Sequence, residues 1–289
     1  MAPAAASPPV ELERDGPIAF LWLQSPPVNV LARPMLEALS ARLRDAEADP
    51  AVRVVVLASR LDRAFAAGAN IREMAGLDPE GAREHGGRGQ ALTRQIERLP
   101  LPVIAAVHGV CLGGGCEIAL ACDFIVASEE ATFGQPEIRL GVMPGWGGTR
   151  RLPRRIGAAA ARRWILTGAS VPAPEAKAAG LVDQVVPRAE LLASARALAA
   201  ELAALPPVAL AAAKSALLRA IDPSIDEGLA YELDLWSRLF GTTDQKEGMA
   251  AFLDKRPLVV GPRTDWEAQS AGFPWSTDSG ARASGKRKN

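Results

Sequence analysis

Two glutamates and two glycine-lined stretches are the residues of this chain best suited to chemistry. Gly113-Gly114-Gly115-Cys116-Glu117 follows an apolar strand pattern and opens a helical one. The N–H groups of such a start have no intrahelical acceptor, and the positive end of the helix dipole favours an anion there. Phe65-Ala66-Ala67-Gly68-Ala69-Asn70 is a second run of mostly small residues after a strand, where a ligand can approach the main chain closely. Either run alone also reads as a tight turn. Together they offer two converging amide donors, fit to hold a carbonyl whose oxygen becomes enolate-like in a transition state.

Glu117 sits in the first turn of the glycine-led helix, and Glu137 lies 20 residues further on in Gly134-Gln135-Pro136-Glu137. A carboxylate complementing a helix dipole and a solvated loop charge are the ordinary roles for two such residues. The neighbours of Glu117, however, are Cys116, Ile118, Ala119 and Leu120, an apolar context that raises a carboxyl toward the range useful for acid/base work. Two carboxylates beside one oxyanion hole suit an activated α,β-unsaturated thioester. One takes a proton from water while the other delivers a proton to the α-carbon.

Composition narrows the alternatives. The chain has 289 residues, long enough for a sizeable core without disulfides or structural metal, and only two histidines, His85 and His108. A site built on several imidazoles is therefore excluded, and no metal site is expected. Cys111, Cys116 and Cys122 lie in one apolar stretch and read as buried thiols of a reducing compartment. The 33 basic residues equal the 33 acidic ones, which gives no surplus cation for coating nucleic acid. Arg282, Lys286, Arg287 and Lys288 lie in the last ten residues without an acid, so the balance hides an acidic body with a basic tip. The first nine residues are Ala/Pro-rich, with neither a basic start nor an apolar core, and no run of about 18 apolar residues follows. No secretory signal or membrane span is expected, and the cytoplasm is the expected location. A dinucleotide fingerprint needs G-x-G-x-x-G, and a P-loop needs Gly-Lys-Ser/Thr; neither is present.

The elements that must position these residues follow from periodicity. Apolar runs over 18–23, 52–58, 101–107 and 124–127 read as buried strands, and 34–48 as a helix with proline in its first turn. Strands alternating with helices imply an α/β core, and pattern alone predicts a doubly wound sheet. Beyond 158 the pattern is helical over 158–167, 174–179, 189–204, 208–220, 225–240 and 243–253, with one strand at 182–186. Past Gly261 periodicity is lost, and 263–289 reads as a mobile tail.

Five motifs in order carry a resemblance: Ala64-Phe65-Ala66-Ala67-Gly68-Ala69-Asn70-Ile71, Leu112-Gly113-Gly114-Gly115-Cys116-Glu117, Phe133-Gly134-Gln135-Pro136-Glu137, Pro144-Gly145-Trp146-Gly147-Gly148-Thr149 and Asp244-Gln245-Lys246-Glu247-Gly248-Met249. From about 18 to 257 the chain resembles the crotonase, or enoyl-CoA hydratase/isomerase, superfamily. The resemblance implies a crotonase-like α/β spiral of ββα turns over 10–200 in place of the doubly wound sheet. It also implies a C-terminal helical oligomerisation region over 201–262, forming a homotrimer or homohexamer. It assigns the oxyanion hole to the amides of Ala69 and Gly114, with Ala67, Gly68, Asn70 and Ile71 against the substrate. Glu117 and Glu137 match the pair that adds water across a trans-2-enoyl-CoA to give a 3-hydroxyacyl-CoA, Glu117 activating water and Glu137 protonating the α-carbon. The expected partner is an acyl-CoA thioester, with no cofactor beyond the coenzyme A of the substrate and neither nucleic acid nor membrane as partner. Many isomerase and decarboxylase relatives lack one of the glutamates, so the pair favours hydration over double-bond isomerisation or a hydratase-lyase reaction. A non-catalytic scaffold is supported only by the basic tail.

Two positions depart from the family pattern. Asn70 stands where Asp is common, and Ser25-Pro26-Pro27-Val28-Asn29 lacks the basic residue often found before that Asn, leaving one usual CoA phosphate contact to another group such as Arg72. The arginines 150, 151, 154, 155, 162 and 163 form the densest basic cluster, best explained by exposed helix faces. Trp146 reads either as a cap on the acyl pocket or as core.

Overall fold

The computed structural model of the chain describes residues 8–219, 225–261 and Phe273. In chain order the elements are β1 (Val10–Asp15), β2 (Ile18–Leu23), β3 (Val30–Leu31), α1 (Arg33–Ala48), β4 (Val54–Ser59), β5 (Ala64–Ala66), β6 (Gly68–Ala69), α2 (Ile71–Met74), α3 (Pro79–Arg98), β7 (Val103–Val107), β8 (Val110–Leu112), α4 (Gly114–Ala121), β9 (Phe124–Ser128) and β10 (Thr132–Gly134). A 3-10 turn over Pro136–Leu140 leads to α5 (Gly148–Thr167), β11 (Ser170–Pro172), α6 (Ala173–Ala178), β12 (Gln184–Val186), α7 (Leu191–Ala203), α8 (Pro207–Arg219), α9 (Ile225–Leu239) and α10 (Thr243–Leu253).

The large sheet has the order β1-β2-β4-β7-β9-β12, and a four-stranded sheet has the order β11-β10-β8-β5. This corrects the doubly wound reading. Strand order in the large sheet never reverses, so it has no switch point. Three long strands are instead each followed by a short one that leaves for the second sheet: β4 by β5, β7 by β8, β9 by β10. The chain therefore advances as a spiral of ββα turns. Three-residue strands are too short for a period-two signal, which is why pattern missed the second sheet.

Alternation along the long strands divides the core. Ala19, Leu21, Leu23, Val55 and Leu57 face the spiral interior, where α1 contributes Met35, Leu36, Leu39 and Leu43. Phe20, Trp22, Val54, Val56, Ile104 and Val126 face the other way and are covered by Leu191, Ala195, Ala199 and Leu202 of α7. The sheet is buried on both faces, as its near-continuous Val/Ile/Leu runs require. Truncating one such leucine to alanine costs about 2–5 kcal/mol.

Two helices differ from expectation. α5 starts at Gly148, ten residues earlier than predicted, and is kinked at Gly157, whose φ of 77° interrupts the helical pattern. α3 was not foreseen at all, because Gly81, Gly86, Gly87 and Gly89 lower its helix propensity. Its start is nevertheless capped, with the Asp78 side chain accepting from the Gly81 amide at 2.8 Å and Pro79 at the first position. Phe273, within the segment read as a tail, is buried with Val208, Ala212 and Leu235; the rest of 263–289 lies outside the described residues. No single helix among the described residues is long and apolar enough to cross a membrane.

Candidate functional site

Three adjacent parallel strands of the small sheet deliver the site. β5, β8 and β10 lie side by side: β8 pairs in register with β10, Cys111 opposite Phe133 and Leu112 opposite Gly134, and with β5 across a bulge, Ala64 opposite Val110 and Ala66 opposite Cys111. Their carboxyl ends run directly into the Gly68-Ala69 segment, the start of α4 and the turn that carries Glu137. Residues far apart in sequence thereby meet at one sheet edge, the usual place for a ligand in parallel α/β structures.

The first wall is the Ala67–Asn70 segment. The Ala67 amide donates to the Val28 carbonyl at 3.0 Å, and β6 pairs with β3 through Gly68 and Ala69. Asn29, fully buried at φ 50°, anchors this segment from below. Its Nδ2 donates to Ser59 Oγ at 2.8 Å and to the Phe65 carbonyl at 2.9 Å, while its Oδ1 accepts from the Ser25 amide at 2.7 Å. In the sequence Asn29 belongs only to the family's CoA motif; in the structure its buried amide fixes the loop. Gly68 has φ 97°, and a Cβ there would lie 3.0 Å from the Leu112 carbonyl oxygen and 3.5 Å from the Gly114 nitrogen. The Ala69 segment and the start of α4 are therefore pressed together. Asn70 caps α2 by accepting from the Arg72 amide at 3.1 Å, and its Nδ2 donates to Glu73 at 2.9 Å. The side chains of Ile71 and Arg72 point outward and are exposed.

α4 is buried along its whole length. Glu117, 1% exposed, accepts on Oε1 from the Trp146 amide at 2.7 Å and the Gly148 amide at 2.8 Å. Burial raises its carboxyl above the ordinary range, while those amides and the Arg151 guanidinium oppose the rise. Glu137 is delivered by the 3-10 turn, with Oε1 so close to Gly113 that a Cβ there would meet it at 3.1 Å. Its Oε2 is buried without a hydrogen-bond partner. Burial, reinforced by the charge of Glu117, lifts Glu137 to about 7. One carboxyl is thus clamped by donors and the other is left to hold a proton near neutral pH.

The loop that clamps Glu117 is itself carried by the unforeseen α3. Gln90 donates to the Gly145 carbonyl at 2.9 Å, Thr93 to the Trp146 carbonyl at 2.9 Å, and Glu97 binds Arg151. These positions, three and four residues apart, share one helix face. The Trp146 indole is buried in a notch that exists because Gly89 and Gly114 lack side chains; a Cβ at either would lie 2.1 Å or 2.5 Å from the ring. His85 packs against the same ring, at 5.8 Å between centroids. Trp146 is thus core on its ring side and a ligand of Glu117 on its backbone side.

The arginine cluster divides. Arg150, Arg154, Arg162 and Arg163 are exposed, as expected of helix faces. Arg151 and Arg155 are not: Arg155 holds the Cys122 and Asp123 carbonyls at 2.9 Å each, which corrects the reading for these two. The three cysteines are free and buried, with burial pushing Cys122 up to about 12. No cluster fit to hold a metal ion occurs among the described residues.

Comparison with known proteins agrees with this fold. The family model described as enoyl-CoA hydratase/isomerase matches residues 13–261. A short-chain-enoyl-CoA hydratase of Clostridium acetobutylicum is 40% identical over 250 residues, 86% of this chain and 96% of its own length. A crotonyl-CoA hydratase of Syntrophomonas wolfei is 40% identical over 246 residues, 85% of this chain and 95% of its own. Among solved structures, an enoyl-CoA hydratase from Bacillus anthracis superimposes with a TM-score of 0.83 at 36% identity, covering 87% of this chain and 98% of that one. With the spiral fold and its site at the small-sheet edge in place, the chain belongs to the enoyl-CoA hydratase/isomerase (crotonase) superfamily.

Proposed function

We propose that this chain is an enoyl-CoA hydratase, adding water across a trans-2-enoyl-CoA to give a 3-hydroxyacyl-CoA. The observation that carries the reading is the pairing of a donor-clamped Glu117 with a Glu137 held at about 7, both beside the start of α4. The thioester carbonyl accepts hydrogen bonds from the Ala69 and Gly114 amides, which strengthen as the oxygen gains enolate charge. Glu117 takes a proton from water as its oxygen bonds to C3, and Glu137 gives its proton to C2. Water's oxygen ends on C3 and a hydrogen on C2; moving the proton from Glu117 to Glu137 through solvent resets the pair. The step balances with substrate and water alone.

Ala67, Gly68, Asn70 and Ile71 flank the carbonyl as binding positions. Exposed Leu229, Leu233 and Trp236, at helical spacing on α9, and Phe240 just past its end support burial of that face in a homotrimer or a hexamer of paired trimers. Light scattering on the purified chain would return three or six times the 30.4 kDa monomer mass.

Incubation with crotonyl-CoA tests the activity. The enoyl-thioester absorbance should fall while mass spectrometry shows a product heavier by one water. A rearranged enoyl isomer or a cleaved acyl chain would favour isomerase or hydratase-lyase chemistry, and an unchanged substrate together with unchanged longer enoyl-CoAs would refute the proposal.

A further inference from the structure

We infer that Glu97 and Arg151 form a positioning pair that holds the Trp146–Gly148 amides on Glu117 and keeps that carboxylate aimed at the reacting water; the inference rests on the hydratase reading above. Arg151 Nε and Nη2 donate to the two oxygens of Glu97 at 2.6 Å each, a fork-to-fork pair. Its remaining nitrogen, Nη1, donates to the Trp146 carbonyl at 2.7 Å. The N–H of that same residue donates to Glu117, as does the N–H of Gly148 two residues further along. The Arg151 amide closes the loop by donating to the Gly147 carbonyl at 2.9 Å. One guanidinium thus fastens the catalytic loop to α3, and both side chains are mostly buried, at 11% and 21% exposure. A surface pair of that chemistry is worth little; a buried bidentate one fixes geometry.

The guanidinium also acts by charge. The titratable groups around Glu117 are Arg151 from α5, Glu137 from the 3-10 turn, His85 and Glu97 on α3 behind the Trp146 loop, and the neighbouring thiol of Cys116. Among those the structure couples directly to Glu117, Arg151 is the cation. Its removal therefore loosens the loop and disfavours the ionised form of Glu117 together.

Arg151→Gln should lower kcat on crotonyl-CoA about 10- to 100-fold, with KM within about twofold, because the base is misplaced while the thioester site is untouched. The acidic limb of its kcat/KM profile should move to higher pH. Arg151→Lys keeps the charge without the fork, so its acidic limb should return to the wild-type position while kcat is only partly rescued. Glu97→Gln frees the arginine and should lower kcat without raising the acidic limb. Wild-type kcat and acidic limb in Arg151→Gln would overturn the inference, as would a kcat loss with an unmoved limb, the mark of a structural role alone. Should Arg151→Gln fail to fold by circular dichroism, wild-type kcat in both Arg151→Lys and Glu97→Gln would overturn it instead. An inactive wild type would sink the hydratase reading separately. The coupling would then be read from the infrared titration of the Glu117 carboxyl, isolated by subtracting Glu117→Gln: an upward shift in Arg151→Gln supports it and no shift overturns it.

Discussion

The two carboxyl groups of the site lie beside the same helix start, yet their supports differ. Glu117 rises from a buried helix and is met by two backbone donors that a further helix holds in place. Glu137 rests on a short 3-10 turn whose Leu140 is exposed, and one of its oxygens is buried with no partner. Both carboxyls are raised by burial; several loop amides and the Arg151 cation oppose the rise at Glu117, while only its own backbone amide does so at Glu137. On the hydratase reading, the lesson is that one pocket would make a base and an acid from one residue type by where hydrogen-bond donors are placed.

Removing either carboxylate should have the largest effect. Glu117→Gln and Glu137→Gln each keep the shape and should lower kcat on crotonyl-CoA by about 10²–10⁴-fold with the circular dichroism spectrum retained. Unequal losses would rank the two roles. Next in size, Gly114→Ala places a methyl 2.5 Å from the Trp146 ring, pushing away the residue whose amide holds Glu117. A kcat loss of about 10²-fold is expected in stopped-flow assays, the scale of a catalytic group misplaced by about an ångström.

A smaller effect concerns stability. The folded chain holds the Glu137 proton with a pKa of about 7 against an ordinary value of 4.5, so it binds that proton more tightly than the unfolded chain. Its contribution is full below about 4.5 and is lost as pH rises through about 7. Glu137→Gln should therefore melt near the wild-type temperature at pH 4 and above it at pH 8 in calorimetric scans. The smallest effect is expected of Asn70→Asp. The carboxylate still caps the Arg72 amide but now faces Glu73, so kcat should change by no more than a few-fold and Tm by a degree or two.

The site was more legible in the sequence than the frame that supports it. Gly113 to Glu117 and Gly134 to Glu137 stand out by residue type and order, so the sequence names both glutamates and the α4 start as candidates, and the structure brings them together. Long apolar strands were equally plain, and the spiral came from motif order, since periodicity alone gave a sheet of the wrong topology. What stayed hidden were the supports. Gly89 of α3 makes room for Trp146, and with Gly81, Gly86 and Gly87 it erases the helical signature of that segment. Arg151 looked like one of six clustered surface cations until the fold turned it inward onto Glu97. Asn29 gains its role from Ser59 and Phe65, contacts 30 and 36 residues away that no local pattern encodes.

The division of labour between the two carboxyls is tested most directly by the pH dependence of kcat/KM for crotonyl-CoA, which reports groups of the free enzyme. The wild type should lose activity on the alkaline side with an apparent pKa near 7, as Glu137 gives up its proton, and on the acidic side as Glu117 gains one. In Glu137→Gln the residual activity should keep the acidic limb and lose the alkaline one. An alkaline limb near 7 persisting in Glu137→Gln would contradict the assignment of Glu137 as the acid.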